Sequence, residues 1–168
     1  MKNILHSSHE NGFTFIELLV VILITGIISV VAYPHLTNLH TNYKLYQEVS
    51  HMLMRFQGAQ STAVRNNCAV TLLFETGGAK YIVFEDKNSN KMFDGDDRKL
   101  SENFISDDVD MYEARFGSGN RIVFDQRGDS SHLGHVYLKT GSGYRAVVVR
   151  SLAGNTVIKR SKDGKSWK

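Results

Sequence analysis

This 168-residue chain has one cysteine, one proline and no repeated or low-complexity segment. Cys68 alone excludes an intrachain disulfide. It also makes neither a four-ligand zinc site nor, without a positioned base, a credible nucleophile. The plain expectation for it is a small buried hydrophobe at the start of a strand. With proline confined to Pro34 and glycine ordinary at 14 residues, nothing points to disorder or a solenoid. Seven histidines show no HExxH or paired-ligand spacing. His6 and His9 fall near the start, His35, His40 and His51 in a helical stretch, and only His132 and His135 among strand-like runs. Asp125 or Asp129 beside His132 would make an imaginable acid–base pair. Nothing supplies a nucleophile or oxyanion site to complete it, so the expectation is a non-enzymatic protein.

What the chain does have is an apolar run over residues 13–33, 21 residues long, that begins directly after Gly12 and holds one carboxylate, Glu17. That length just spans a ~30 Å hydrocarbon core as a helix. A secretory signal has a shorter core followed by its cleavage site, whereas here the glycine precedes the run, so the run is expected to survive processing. A carboxylate within a bilayer-length helix costs at least a few kcal/mol at mid-membrane and is read as functional, with a partner to be named.

Gly12, then Phe13, then Glu17 four residues on, with Gly26 and Pro34 further along, resembles the type IV pilin and type II secretion pseudopilin family. The resemblance implies a leader over residues 1–12, removed after Gly12 by a prepilin peptidase that methylates the new amino group of Phe13. It also implies that Glu17, fifth in the mature chain, neutralises the N-terminus of a neighbouring subunit during assembly. Gly26 and Pro34 would soften the helix, and the other partners would be the inner membrane and further pilin or pseudopilin subunits. Residues 13–33 would form the transmembrane and filament-core helix, 34–67 its amphipathic half and 68–168 a periplasmic head.

After Pro34, Leu36, Leu39, Tyr43, Tyr46, Val49, Leu53, Phe56 and Ala63 recur at helical intervals and are expected on one face of a helix running to about Arg65, where Asn66 and Asn67 stop it. With the apolar run this makes one helix of about 54 residues, roughly 80 Å at 1.5 Å per residue. From Cys68 the period becomes two. Val70, Leu72 and Phe74 alternate with other residues, Gly77-Gly78 offers a turn, and residues 81–84 return as a hairpin. Further strands are expected over residues 109–116, 121–125, 135–140, 144–151 and 156–160, between turns at Gly117, Gly128, Gly141 and Gly154. The fold class is α+β, a long helix packed on a largely antiparallel β-sheet head.

Within the pilin-like proteins, residues 124–128 (FDQRG), the strand 146–149 (AVVV), residues 151–154 (SLAG) and Asp163-Gly164-Lys165 resemble the GspH/FimT group. Membership implies a low-copy subunit near the tip of a pseudopilus or pilus.

Three constellations mark the head. Asp86, Asn88, Asn90, Asp94 and Asp97 fall on positions 1, 3, 5, 9 and 12 of a calcium-loop template. Lys91, however, stands where that template has glycine, Asp97 is shorter than the usual glutamate, and the flanks are β-like. A solvated acidic hairpin loop is the preferred reading, and no cofactor other than calcium comes into question. Residues 85–113 hold ten acidic and four basic residues, net −6, while residues 139–168 hold eight basic residues and only Asp163, net +7. Lys159, Arg160, Lys162, Lys165 and Lys168, with Trp167, could dock acidic neighbours or contact DNA phosphates. Some FimT-type proteins resemble DNA receptors with a Gly-Arg-x-Arg element. This chain has Gly154-Asn155-Thr156-Val157 there and lacks both arginines. The tripeptide Arg127-Gly128-Asp129 sits where a turn calls for Gly and Asp in any case. The expected function is that of a minor pseudopilin supporting protein secretion across the outer membrane, with a minor pilin acting in pilus priming or DNA uptake as the alternative.

Overall fold

The computed structural model describes residues 13–168. One helix, α1 (Phe15–Asn66), is followed by eight strands: β1 (Ala69–Glu75), β2 (Lys80–Asp86), β3 (Arg98–Phe104), β4 (Asp110–Phe116), β5 (Arg121–Phe124), β6 (Gly134–Thr140), β7 (Gly143–Val149) and β8 (Thr156–Ser161). The class is α+β, as expected, and the strands form two antiparallel four-stranded sheets in the orders β3-β2-β1-β5 and β4-β6-β7-β8. The chain divides within α1 into two compact units, Met1–Asn38 and Leu39–Lys168.

α1 ends where the two asparagines stand. Asn67 takes φ +50°, its N–H donates to the Val64 carbonyl, and the Cys68 N–H reaches back to the Ala63 carbonyl. These are the paired bonds of a Schellman cap, with Asn rather than Gly in the left-handed position. Arg65 in the last turn adds a cation at the negative end of the helix dipole. Cys68 is half-buried against the core rather than fully buried, and its thiol is pushed up first by burial and then by the Glu85 carboxylate.

The buried face of α1 is Leu45, Val49, Met52, Phe56, Ala59 and Ala63, spaced alternately by four and three. Leu36, Leu39, Tyr43 and Tyr46 are exposed, so the periodic set of the sequence merges two stripes. Val49, Phe56 and Ala63 lie on the stripe that meets the sheets, and the first four residues lie on another. Phe56 is fully buried, with ring centroids 5.8 Å from Phe74 of β1, 6.0 Å from Phe116 of β4 and 6.3 Å from Phe124 of β5. One aromatic side chain thus ties the helix to both sheets.

The β1–β2 hairpin forms as its alternation requires, with Leu72 opposite Val83 and a 3-10 turn over Thr76–Gly78. The edge strand β3 carries Arg98, Lys99 and Glu102 and buries no side chain fully, so no period of two marks it in sequence. Charged residues on such an edge discourage pairing with another chain. In β4 both Met111 and Phe116 face the core although they are five residues apart. A bulge between Met111 and Glu113 shifts the register by one and makes that possible. Opposite Phe116 sits Gly134, where an added Cβ would lie 2.2 Å from the Arg115 carbonyl oxygen.

Candidate functional site

At the N-terminal end of α1, Thr14 precedes the first helical residue and its Oγ1 accepts a hydrogen bond from the Glu17 N–H at 3.3 Å. The Thr14 carbonyl accepts the first helical bond, from Leu18. Thr14 is therefore the N-cap and Glu17 stands at the third helical position. That is the spacing of a capping box, with the carboxylate near the positive end of the dipole. Phe13 is 80% exposed, and the large hydrophobic side chains from Phe15 to Val31 share that exposure. The hydroxyls along the segment are satisfied internally. Thr25 Oγ1 donates to the Val21 and Ile22 carbonyls at 2.8 and 2.9 Å, and Ser29 Oγ donates to that of Thr25 at 2.7 Å. What remains is an apolar surface, long enough to cross a membrane, with Glu17 as its one ionisable group. α1 is helical through Gly26 and Pro34, and a Cβ at Gly26 would meet nothing within 4 Å. Residues 1–12, the expected leader with Gly12 at its end, lie outside the described residues.

Of the five calcium-template residues, Asp86 ends β2 and the other four lie on the loop joining β2 to β3, and their side chains engage the loop's own groups. Asp86 accepts from the N–H groups of Asn90 (3.1 Å) and Lys91 (2.8 Å). Asp94 accepts from the side-chain amides of Asn88 (3.0 Å) and Asn90 (2.6 Å) and from the Asp96 N–H (3.0 Å). Asp97 accepts from the N–H groups of Lys87 (3.2 Å) and Asp94 (3.0 Å). The Asn88 amide, the Asp96 N–H and the Asn90 amide hold the Asp94 carboxyl below the usual range. Lys91 takes φ +63° and itself supplies the left-handed turn that the template gives to glycine. Phe93 anchors the loop on Phe84, centroid to centroid 5.3 Å. Among the described residues no group of three His, Cys, Asp or Glu is arranged to hold a metal ion.

The basic tail is divided by β8. Lys159 pairs with Ala146, and Ala146 pairs with Tyr137, so these three share one face of the second sheet, and Arg160 stands on the other. Arg160, Lys162 and Lys168 line a cleft of about 560 Å³ together with Arg145 of β7, a residue that sequence patterning did not single out. Lys165 lies in the tail's turn, outside that lining. The tail itself is folded. Arg160 and Lys168 exchange both backbone hydrogen bonds at 3.0 Å. Asp163 accepts from the Ser166 and Lys165 N–H groups and the Ser161 hydroxyl, which bring its carboxyl down to about 2. Trp167 then stacks on Tyr137 at 4.5 Å with 6° between the rings, and Tyr137 stacks on His135 at 4.0 Å. One face of Trp167 is thereby covered.

The two head histidines do not meet Asp125 or Asp129. His132 Nδ1 lies 3.1 Å from Ser131 Oγ, and His135 Nε2 lies 3.4 Å from Glu113 Oε1. Arg127, Gly128 and Asp129 form a turn closed on Asp125, which accepts from the Arg127 and Asp129 N–H groups at 2.8 and 2.9 Å, and Arg127 bridges both carboxylates.

Residues 48–154 match the family described as Type II transport protein GspH, and residues 7–33 match the prokaryotic N-terminal methylation motif. Comparison with curated protein sequences gives no match. Among solved structures, the chain is similar to the type IV minor pilin FimU of Pseudomonas aeruginosa strain PAO1 in two crystal forms, at 13% identity in each. The TM-scores are 0.55, covering 69% of this chain and 88% of that one, and 0.52, covering 71% and 94%. The minor pseudopilin EpsH from the Type 2 Secretion System of Vibrio cholerae is similar at 6% identity and TM-score 0.48, covering 70% of this chain and 95% of that one. At 13% identity the likeness to FimU is one of fold: a long N-terminal helix packed on antiparallel sheets.

Proposed function

The chain belongs to the Type II transport protein GspH family, and from that premise we propose that it is a minor pseudopilin, a non-enzymatic subunit at or near the tip of a type II secretion pseudopilus. Residues 1–12 are a leader that a prepilin peptidase removes after Gly12, and the new amino group, on Phe13, is methylated. The methylation motif matched over residues 7–33 supports this processing. Residues 13–33 hold the protein in the inner membrane, with the head, residues 68–168, in the periplasm. The segment then leaves lipid for a bundle of equivalent helices, exchanging one low-dielectric surrounding for another.

The observation that carries this reading is Glu17, a lone carboxylate on an otherwise apolar, exposed helical segment. In lipid that charge is unpaired and expensive. In the filament, the methylated amino group of the adjacent subunit offsets it and sets the register. The Thr14 cap supports the same role, because it fixes the helix start from which Glu17 projects. The test is Glu17→Gln, followed by membrane fractionation and by co-purification with the assembled filament. Membrane insertion is expected to persist and incorporation to fall about tenfold or more, since a charge-assisted contact contributes about 1.5–3 kcal/mol. Normal incorporation would refute the pairing.

A second reading, a minor pilin acting in pilus priming or DNA uptake, draws on the fold shared with FimU, which is described as a type IV minor pilin, and on the basic tail. The missing arginines at Asn155 and Val157 favour secretion.

A further inference from the structure

The cleft of about 560 Å³ lies between residues 42–45 of α1, the β6–β7 turn and the C-terminal tail. Its lining holds four cationic side chains, Arg145, Arg160, Lys162 and Lys168, against one carboxylate, Asp163. Among the described residues none of these four cations has a carboxylate within ion-pair distance. Asp163, whose Oδ1 accepts from the Ser161 hydroxyl and the Lys165 and Ser166 N–H groups, offsets one of these charges and leaves the lining side chains at a net +3. Arg145 is held in place from one side by the Tyr46 ring, 5.2 Å from its guanidinium carbon. A concave surface with like charges on its walls focuses the field and attracts an anion. Guanidinium groups, ammonium groups and the hydroxyls of Ser142 and Ser166 are the donors that a phosphate oxygen takes.

We propose that this cleft binds a phosphate diester, and that its source is the headgroup of an anionic phospholipid. Chain position favours that source. Asn42, on the rim, stands nine residues after Tyr33, the last residue of the apolar run, so even a fully extended connection keeps the cleft within about 30 Å of where that run ends. Basic sites close to a membrane-spanning segment recognise anionic headgroups, each cation adding about a factor of five. The inference goes beyond filament assembly and does not depend on it, because the headgroup would be bound while the subunit waits in the membrane.

Trp167 stacks on Tyr137, on the face of the sheet opposite Arg160, so binding at the cleft is read by isothermal titration calorimetry rather than by its fluorescence. The experiment titrates the full chain in non-ionic detergent with dihexanoyl phosphatidylglycerol, dihexanoyl phosphatidylcholine, inorganic phosphate, a 12-nucleotide single-stranded DNA and a peptide of residues 85–113. Saturable binding is expected for the phosphatidylglycerol, about tenfold tighter than for the zwitterionic lipid or for phosphate, and weakening with salt. Arg160→Gln with Lys162→Gln should weaken it about tenfold to thirtyfold, while Arg160→Lys and Lys159→Gln bind within about threefold of the parent. Thermal melting of each variant separates lost binding from lost folding. The proposal is overturned by no saturable response to phosphatidylglycerol, or by equal affinity in the folded double variant. Equal affinity for inorganic phosphate would overturn the lipid source. Cleft-dependent binding of the oligonucleotide or the acidic peptide, without the lipid, would reassign the cleft to nucleic acid or to a neighbouring subunit.

Discussion

Replacing Phe56 by alanine should loosen α1 from both sheets at once. A buried Phe→Ala change costs about 3–5 kcal/mol in transfer and cavity terms. Phe56 is fully buried and has three aromatic partners with centroids between 5.8 and 6.3 Å, each contributing about 0.5–1.5 kcal/mol beyond burial, which places it at the upper end, about 4–5 kcal/mol. The unit Leu39–Lys168 comprises 130 residues (168 − 38). At about 0.05–0.15 kcal/mol per residue its stability is roughly 6–20 kcal/mol, so the loss is a large fraction of it. Near-UV circular dichroism of the full chain in detergent should show Tm falling by about 15–20 °C. Phe104→Ala, at a side chain 69% exposed, should move Tm by less than about 2 °C. A Phe56→Ala protein melting within about 4 °C of the parent would refute the account of the core.

Gly134→Ala should destabilise the head by about 2 kcal/mol or more, because the added methyl meets the Arg115 carbonyl oxygen at 2.2 Å and Phe116 Cδ1 at 2.4 Å, whereas Gly141→Ala meets nothing within 4 Å and should lie within about 0.5 kcal/mol. Urea titration of both variants checks this. The Asp163 carboxyl, brought down to about 2, ties the tail's turn most strongly when ionised. A group with a depressed folded value adds stability above its unfolded value, about 3.9, and loses it as pH falls through the folded one. Trp167 fluorescence should therefore be steady above pH ~4 and change toward pH ~2, and Asp163→Asn should remove that transition. A tail transition near pH 6 would point to another group.

Much of this molecule was legible where a local rule acts alone. The end of α1 was read from Asn66 and Asn67, and the structure shows the left-handed cap responsible. The β1–β2 hairpin followed from strict alternation and a Gly-Gly turn. The capping relation between Thr14 and Glu17 is present in the T-x-x-E spacing, but a carboxylate in an apolar run stands out first as a charge and hides it. β3 escaped because an edge strand with charged residues on both faces has no apolar period. The buried stripe of α1 was blurred because exposed Leu36, Leu39, Tyr43 and Tyr46 mimic a core face, and only the sheets decide which stripe is covered. The five basic residues of the tail looked like one patch. Strand alternation sends Lys159 and Arg160 to opposite faces, and Arg145 joins the cleft from a strand that is distant in sequence, so no linear pattern could group them.

The central claim is that this chain serves a secretion pseudopilus, and a clean chromosomal deletion, scored side by side for proteins released into the medium and for surface pili, tests it most directly. The account predicts that release is lost, pili remain, and the parent gene, but not its Glu17→Gln form, restores secretion. Intact secretion with loss of pili or of DNA uptake would contradict it and make the protein a minor pilin.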